Sequence, residues 1–242
     1  MSRTIAIRVC VVGVLLAIPV AGQPYQAQVT LGQPYFTAVG EADCEENANQ
    51  GLENCGFETG MFPAWVDSDI ASPFFPLQVN TAGVNVGFGF FTSAPTQGTF
   101  AALHGWDGDG PGRIRVTQEM SLLNGADTIS FSYRAAWDMT FGATQPRAFK
   151  VRIEEPLAAD QCGPGGGLLA SHLILQADPG TTVLDTGDLI GEVDISPFAG
   201  MDVCLVFEWV VPESFTGPGF FQLDNVDADN PVPVDLQQFS IE

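Results

Sequence analysis

Large apolar residues recur at every second position in several short runs, separated by glycine, proline and acidic residues. Ile114, Val116, Met120 and Leu122 keep one parity around Gln118; Ile129, Phe131 and Tyr133 repeat the pattern, and so do Phe149, Val151 and Ile153. Val203, Leu205, Phe207, Trp209 and Val211 would place five large apolar groups on one face of a single strand. A period of two marks a half-buried β-strand, whose successive side chains point to opposite faces. Between the runs fall Gly83, Gly105 to Gly112, Gly125, Gly163 to Gly167, Pro179-Gly180 and Gly217 to Gly219, all turn signals. No long 3.6-residue periodicity and no internal repeat is visible. The pattern predicts an all-β sandwich.

The two ends read differently. In residues 1–22, Arg3 and Arg8 precede an apolar stretch from Val9 to Val20, and Val20-Ala21-Gly22 has the small residues of a cleavage site. This is the pattern of a signal peptide, and the apolar stretch is too short for a comfortable membrane span. Residues 23–51 are polar and rich in small side chains, with Glu41, Asp43, Glu45 and Glu46, and read as a leader outside the sandwich. Residues 52–228 carry the strand pattern as a single domain. The 229–242 tail is extended and broken by Pro231 and Pro233. With 45% apolar residues in 242, one sizeable core is available.

Charge narrows the partners. Arg3 and Arg8 leave with the signal peptide, so 6 basic face 29 acidic side chains, a net charge of −23 (6 − 29). Such a polyanion repels nucleic acid and anionic lipid surfaces, and it suits cation binding or simple solubility outside the cell. The expected location is extracellular, or periplasmic, with no membrane span.

Four cysteines remain: Cys44, Cys55, Cys162 and Cys204. An even number in an exported chain favours disulfides. Three pairings are possible, and Cys44–Cys55 with Cys162–Cys204 is preferred. Zinc is the competing reading, but no C-x-x-C pair is present and neither histidine lies near the cysteines.

Two short signatures bracket the strand region: Asn54-Cys55-Gly56-Phe57-Glu58-Thr59-Gly60-Met61-Phe62-Pro63-Ala64-Trp65, and Gly219-Phe220-Phe221-Gln222-Leu223-Asp224-Asn225-Val226. The first resembles the N-G-x-F-E-x-G-x-F-x-x-W opening of galactose-binding-like jelly rolls, the β-sandwiches of many bacterial carbohydrate-binding modules. The second resembles their closing strand, with meprin-type domains as more distant look-alikes. The resemblance implies a jelly-roll β-sandwich whose opening and closing strands are neighbours. It also implies a structural calcium between Glu58 and Asp224, because that ion is held best by two or more carboxylates among other oxygens. Cys55 stands where the family has glycine, which suggests that the opening strand is tied to the leader.

Sugar recognition needs exposed aromatic faces beside fixed polar groups. Trp65 and Trp209 are expected in the core. Trp106 and Trp137 each lie at a strand end beside an aspartate, Asp107 and Asp138, so Trp106, Trp137, Arg134 and Asp138 are the candidate carbohydrate-binding residues. The D-G-D-G run at Asp107 to Gly110 is half of a calcium loop, but Pro111 follows and the terminal glutamate is missing, so it reads as a turn. For catalysis there is no G-x-S-x-G and no H-E-x-x-H. Glu154 and Glu155 would face opposite sides of a strand, and His104 near Asp107 lacks an identifiable nucleophile. The resulting expectation is an exported, non-catalytic module that binds extracellular glycan. A structural surface protein making protein contacts is the alternative, and a secreted hydrolase the third.

Overall fold

A computed structural model of the chain describes residues 51–157 and 161–229. Residues 1–50, where the signal peptide, Cys44 and nearly all of the leader were expected, and the tail from residue 230 lie outside the described residues. Within them the chain forms two antiparallel sheets packed face to face. The first is built from β1 (Val66–Ser68), β4 (Gly112–Ser121), β10 (Asp202–Val211), β6 (Arg147–Glu154) and β7 (Leu168–Ala177), in that spatial order. The second runs β2 (Gln78–Thr81), β3 (Phe100–Gly105), β11 (Gly219–Asp229) and β5 (Thr128–Asp138). Both β8 (Thr182–Val183) and β9 (Leu189–Asp194) pair with β5. Neighbours in space are often distant in sequence, as in a jelly-roll sandwich. No described helix is long and apolar enough to cross a membrane.

The alternating residues do what their period requires. Ile114 and Val116 of β4, Phe131 and Tyr133 of β5, Phe149 and Val151 of β6, and Phe207 and Trp209 of β10 meet between the sheets. Phe149 stacks on Trp209 with ring centroids 4.9 Å apart and lies 4.7 Å from Phe221 of β11. This aromatic layer lies in the buried core between the sheets. Burying a ring of this size contributes about 1.5–3 kcal/mol.

The opening signature is not a strand. Asn54, Phe57, Gly60 and Ala64 all have positive φ, a conformation that cannot continue a ladder. The segment instead coils into a plug. The Trp65 indole N–H donates to the Asn54 carbonyl at 3.0 Å, and Phe57 sits fully buried 5.6 Å from the Trp65 ring. Its proximity to the closing strand is direct, because the Val226 amide donates to the Cys55 carbonyl at 3.1 Å. Cys162 is bonded to Cys204, with Cα atoms 5.7 Å apart, tying the β6–β7 connection to β10. Cys55 is also disulfide-bonded; the partner expected for it, Cys44, lies outside the described residues.

Candidate functional site

The four residues expected to bind sugar do not form one exposed site. Trp106 is fully buried and Trp137 is 6% exposed; their rings meet edge to face at 6.2 Å inside the sandwich. The expectation of two surface rings is therefore corrected. The physical reason is parity: β5 continues without a break from Ile129 through Phe131, Tyr133 and Ala135, so Trp137 falls on the inward face. Trp106 continues the inward parity of Ala102 and His104 in the same way.

Arg134 and Asp138 are on the outward positions of β5, but each is already engaged. Arg134 donates to both carboxylate oxygens of Asp185, at 2.7 and 2.6 Å, and that pairing holds the Asp185 carboxyl below its ordinary range. Asp138 accepts from the Thr140 amide and from the hydroxyls of Thr140 and Thr182. His104 and Asp107 form no base-and-orienter pair. The His104 ring is buried with neither nitrogen bonded, and Asp107 instead accepts from Arg147 at 2.8 Å.

Glu58 and Asp224 converge on one segment, the approach to β3. Glu58 accepts from the amides of Thr99 and Phe100. Asp224, fully buried, accepts from the Thr96 amide at 2.6 Å, the Thr96 hydroxyl at 2.9 Å and the Gln97 amide at 3.1 Å. Burial nevertheless pushes the Asp224 carboxyl up to about 6, against the lowering effect of these hydrogen bonds. A cation would have to compete with these N–H and O–H donors for the same oxygens. Among the described residues no cluster of three or more histidine, cysteine, aspartate or glutamate side chains is placed to hold a metal.

The exposed aromatic surface lies elsewhere, on the outer face of the second sheet. Residues 82–97 cross that face and bury Phe90 and Phe91 on Leu103, Ala136 and Phe220. Gln222 of β11 clamps the crossing by accepting the Ala94 amide and donating to the Ala94 carbonyl, at 3.0 and 2.8 Å. The Phe91 amide donates to the Leu184 carbonyl, and the Arg134 guanidinium lies 4.7 Å over the Phe91 ring.

At the top of the crossing, Gly87, Phe88 and Gly89 all take positive φ, at 83°, 59° and 75°. Glycine adopts that region freely, whereas phenylalanine does so only with strain. The strained turn presents Phe88 to solvent at 59% exposure, 5.4 Å from Phe74 and 5.9 Å from Phe90. Asn85 fixes the turn by accepting the Gly87 amide, and its side-chain amide donates to the Thr92 hydroxyl. Phe88 on its pinned loop and the half-buried Phe74 beside it thus form an open aromatic shelf, backed by the buried Phe90. The sequence signal for it was Gly87-Phe88-Gly89-Phe90-Phe91, a run with no strand alternation and two glycines around one ring.

No family model matches the chain, and no curated protein is similar to it. Some solved structures are similar to it at low identity. One is the carbohydrate-binding module TmCBM61 in complex with beta-1,4-galactotriose, 16% identical over 75% of this chain and 98% of that one, with a TM-score of 0.45. Another is the Caldicellulosiruptor saccharolyticus module CBM27-1 in complex with mannohexaose, 14% identical over 71% and 93%, TM-score 0.43. A cyclase from Fischerella sp. TAU is 14% identical over 75% and 98%, also at 0.43.

Proposed function

We propose that the chain is an exported, non-catalytic module that binds extracellular glycan through the shelf of Phe88 and Phe74. The observation that carries this reading is Phe88, an exposed ring held in a strained backbone conformation by a loop clamped to the sheet beneath. Strain of this kind costs of order 1–3 kcal/mol and persists where the surroundings over-determine it, as at binding sites. An aromatic face beside fixed hydrogen-bonding groups is the mixture that a sugar ring needs, apolar C–H on one side and hydroxyls at the rim. Asn85, Thr92 and the paired Arg134 and Asp185 are the fixed polar groups on or against the same loop.

The same apolar shelf, with half-exposed Leu184 on the neighbouring segment, also suits a protein partner. A glycan array on the secreted protein separates the two readings. Binding of a neutral oligosaccharide that Phe88→Ala abolishes, while the melting free energy shifts by less than about 1 kcal/mol, is the expected result. If the intact protein binds no glycan on the array, protein contact becomes the better reading of the shelf.

A further inference from the structure

A second aromatic ring is held out on a strained backbone. Phe215, in the connection between β10 and β11, has φ 45° and is 57% exposed. A phenylalanine in the left-handed region carries strain, and a ring so exposed gains little packing to offset it. The residues on either side fix the turn. Glu213 accepts from the Thr144 amide at 2.8 Å, the Thr144 hydroxyl at 2.6 Å and the Gln145 amide at 2.9 Å. The Ser214 hydroxyl donates to the Gly110 carbonyl at 2.6 Å, and the Thr216 hydroxyl accepts from Arg147 at 3.2 Å.

This turn is joined to the aromatic shelf through one short segment. The Phe74 amide donates to the Asp107 carbonyl and the Phe215 amide to the Gly108 carbonyl, each at 2.8 Å. Consecutive carbonyls therefore hold both residues, and their backbones stand within two strand spacings, roughly 10 Å. Gly108 lets the segments close up, because a Cβ there would stand 2.8 Å from the Pro73 Cα and 2.9 Å from the Ser72 carbonyl oxygen. Phe74 in turn lies 5.4 Å from Phe88. Phe88, Phe74 and Phe215 are thus carried on segments in contact one with the next.

The polar groups beside Phe215 narrow the ligand. Asp109 is exposed, and its carboxylate lies 3.1 Å from the Ser214 hydroxyl with acceptor capacity to spare. Sugar hydroxyls can donate to such a carboxylate. An acidic sugar would instead be repelled by Asp109, Glu213 and a chain of net charge −21. Rings this far apart suit a chain of sugar units, since a single terminal sugar cannot cover both.

We infer that Phe215 is a further contact for a neutral oligosaccharide running from Phe88 and Phe74 across Asp107 and Gly108, so that the module prefers long glycan chains over short fragments. This rests on the reading of the Phe88 shelf as a glycan site.

The test is calorimetric titration of the full secreted chain with the disaccharides and hexasaccharides of β-1,4-linked glucose, mannose and galactose. In the series that binds, the hexasaccharide is expected to be held about tenfold more tightly than the disaccharide, the worth of one further aromatic contact. Phe215→Ala should remove that preference and leave the disaccharide affinity unchanged. Phe215→Gly should do the same without lowering the melting temperature, because glycine takes a positive φ freely. Phe88→Ala should weaken both lengths. Equal affinity for the two lengths, or a length preference that survives both Phe215 substitutions, overturns the inference while leaving the shelf in place if Phe88→Ala still abolishes binding. Absence of binding by every member of the three series overturns the inference and the glycan reading of the shelf together.

Discussion

His104 illustrates how much one residue can commit a β-sandwich to a pH range. Its ring lies 4.3 Å from Trp209 and stacks on Phe221 at 5.5 Å, and neither ring nitrogen has a hydrogen-bond partner. Burial therefore pushes its pKa down to about 3. The folded state holds this imidazole neutral, whereas the unfolded chain protonates it near pH 6.5. Stability is accordingly intact above pH 6.5 and is lost progressively as pH falls toward 3, by roughly 4 kcal/mol over the whole window. Asp224 works in the opposite sense between its ordinary value and about 6, since its raised pKa makes the folded state bind the extra proton there. Comparison of His104→Phe with the parent isolates the histidine. Acid denaturation curves should show a smaller loss of stability between pH 6.5 and 4 in the variant; identical pH slopes would mean that the ring finds a partner in solution.

At the scale of elements, the approach to β3 is held from both ends of the domain. Glu58 comes from the opening plug and Asp224 from the closing strand, and both take amides between Thr96 and Phe100. Gly98 makes the fit possible: at φ +60°, an added Cβ would stand 2.3 Å from the Glu58 carboxyl carbon. The calcium implied by the two signatures is a proposal about this same clamp. Were the ion bound only by the folded state, millimolar-range calcium would raise the melting temperature over that in chelator, by mass action. Glu58→Ala and Asp224→Ala would each remove that rise. Identical melting in calcium and in chelator would leave the two carboxylates as acceptors of loop amides alone, and the two alanine variants would then lose stability equally in both media.

Over the whole molecule, one buried cation joins the sheets. Arg147 begins β6 in the first sheet, is fully buried, and reaches across to the connections that flank the second. It donates to the Trp106 carbonyl at 2.6 Å, to Asp107 at 2.8 Å and to the Gly217 carbonyl at 2.7 Å. Removing one member of such a set strands the others in a low-dielectric interior, at a cost of about 3–5 kcal/mol. Arg147→Met, close in volume, is expected to lower the unfolding free energy by that amount in urea; a loss under about 1 kcal/mol would show that water reaches Asp107 and the carbonyls instead.

The sequence by itself determined four of the strands, β4, β5, β6 and β10, because a period of two in residue size survives any change of neighbour. Parity from Ile114 to Met120 and from Val203 to Val211 is enough to say which side chains meet in the core. The same rule, carried as far as Trp137, also says that this ring is inside, and stopping the strand at Tyr133 was what made it look exposed. Adjacency of the opening and closing signatures was legible from their resemblance, although the positive φ values of the opening plug were not. What only the tertiary structure decided are the contacts between segments far apart in sequence. The clamp of Asp224 on Thr96, the crossing of residues 82–97 over β11, and the gathering of Arg113, Arg115, Lys150 and Arg152 around Glu208 all depend on which strands become neighbours. Strand order is fixed by long-range pairing and by packing between the sheets, and no local pattern of hydrophobic and polar residues encodes it.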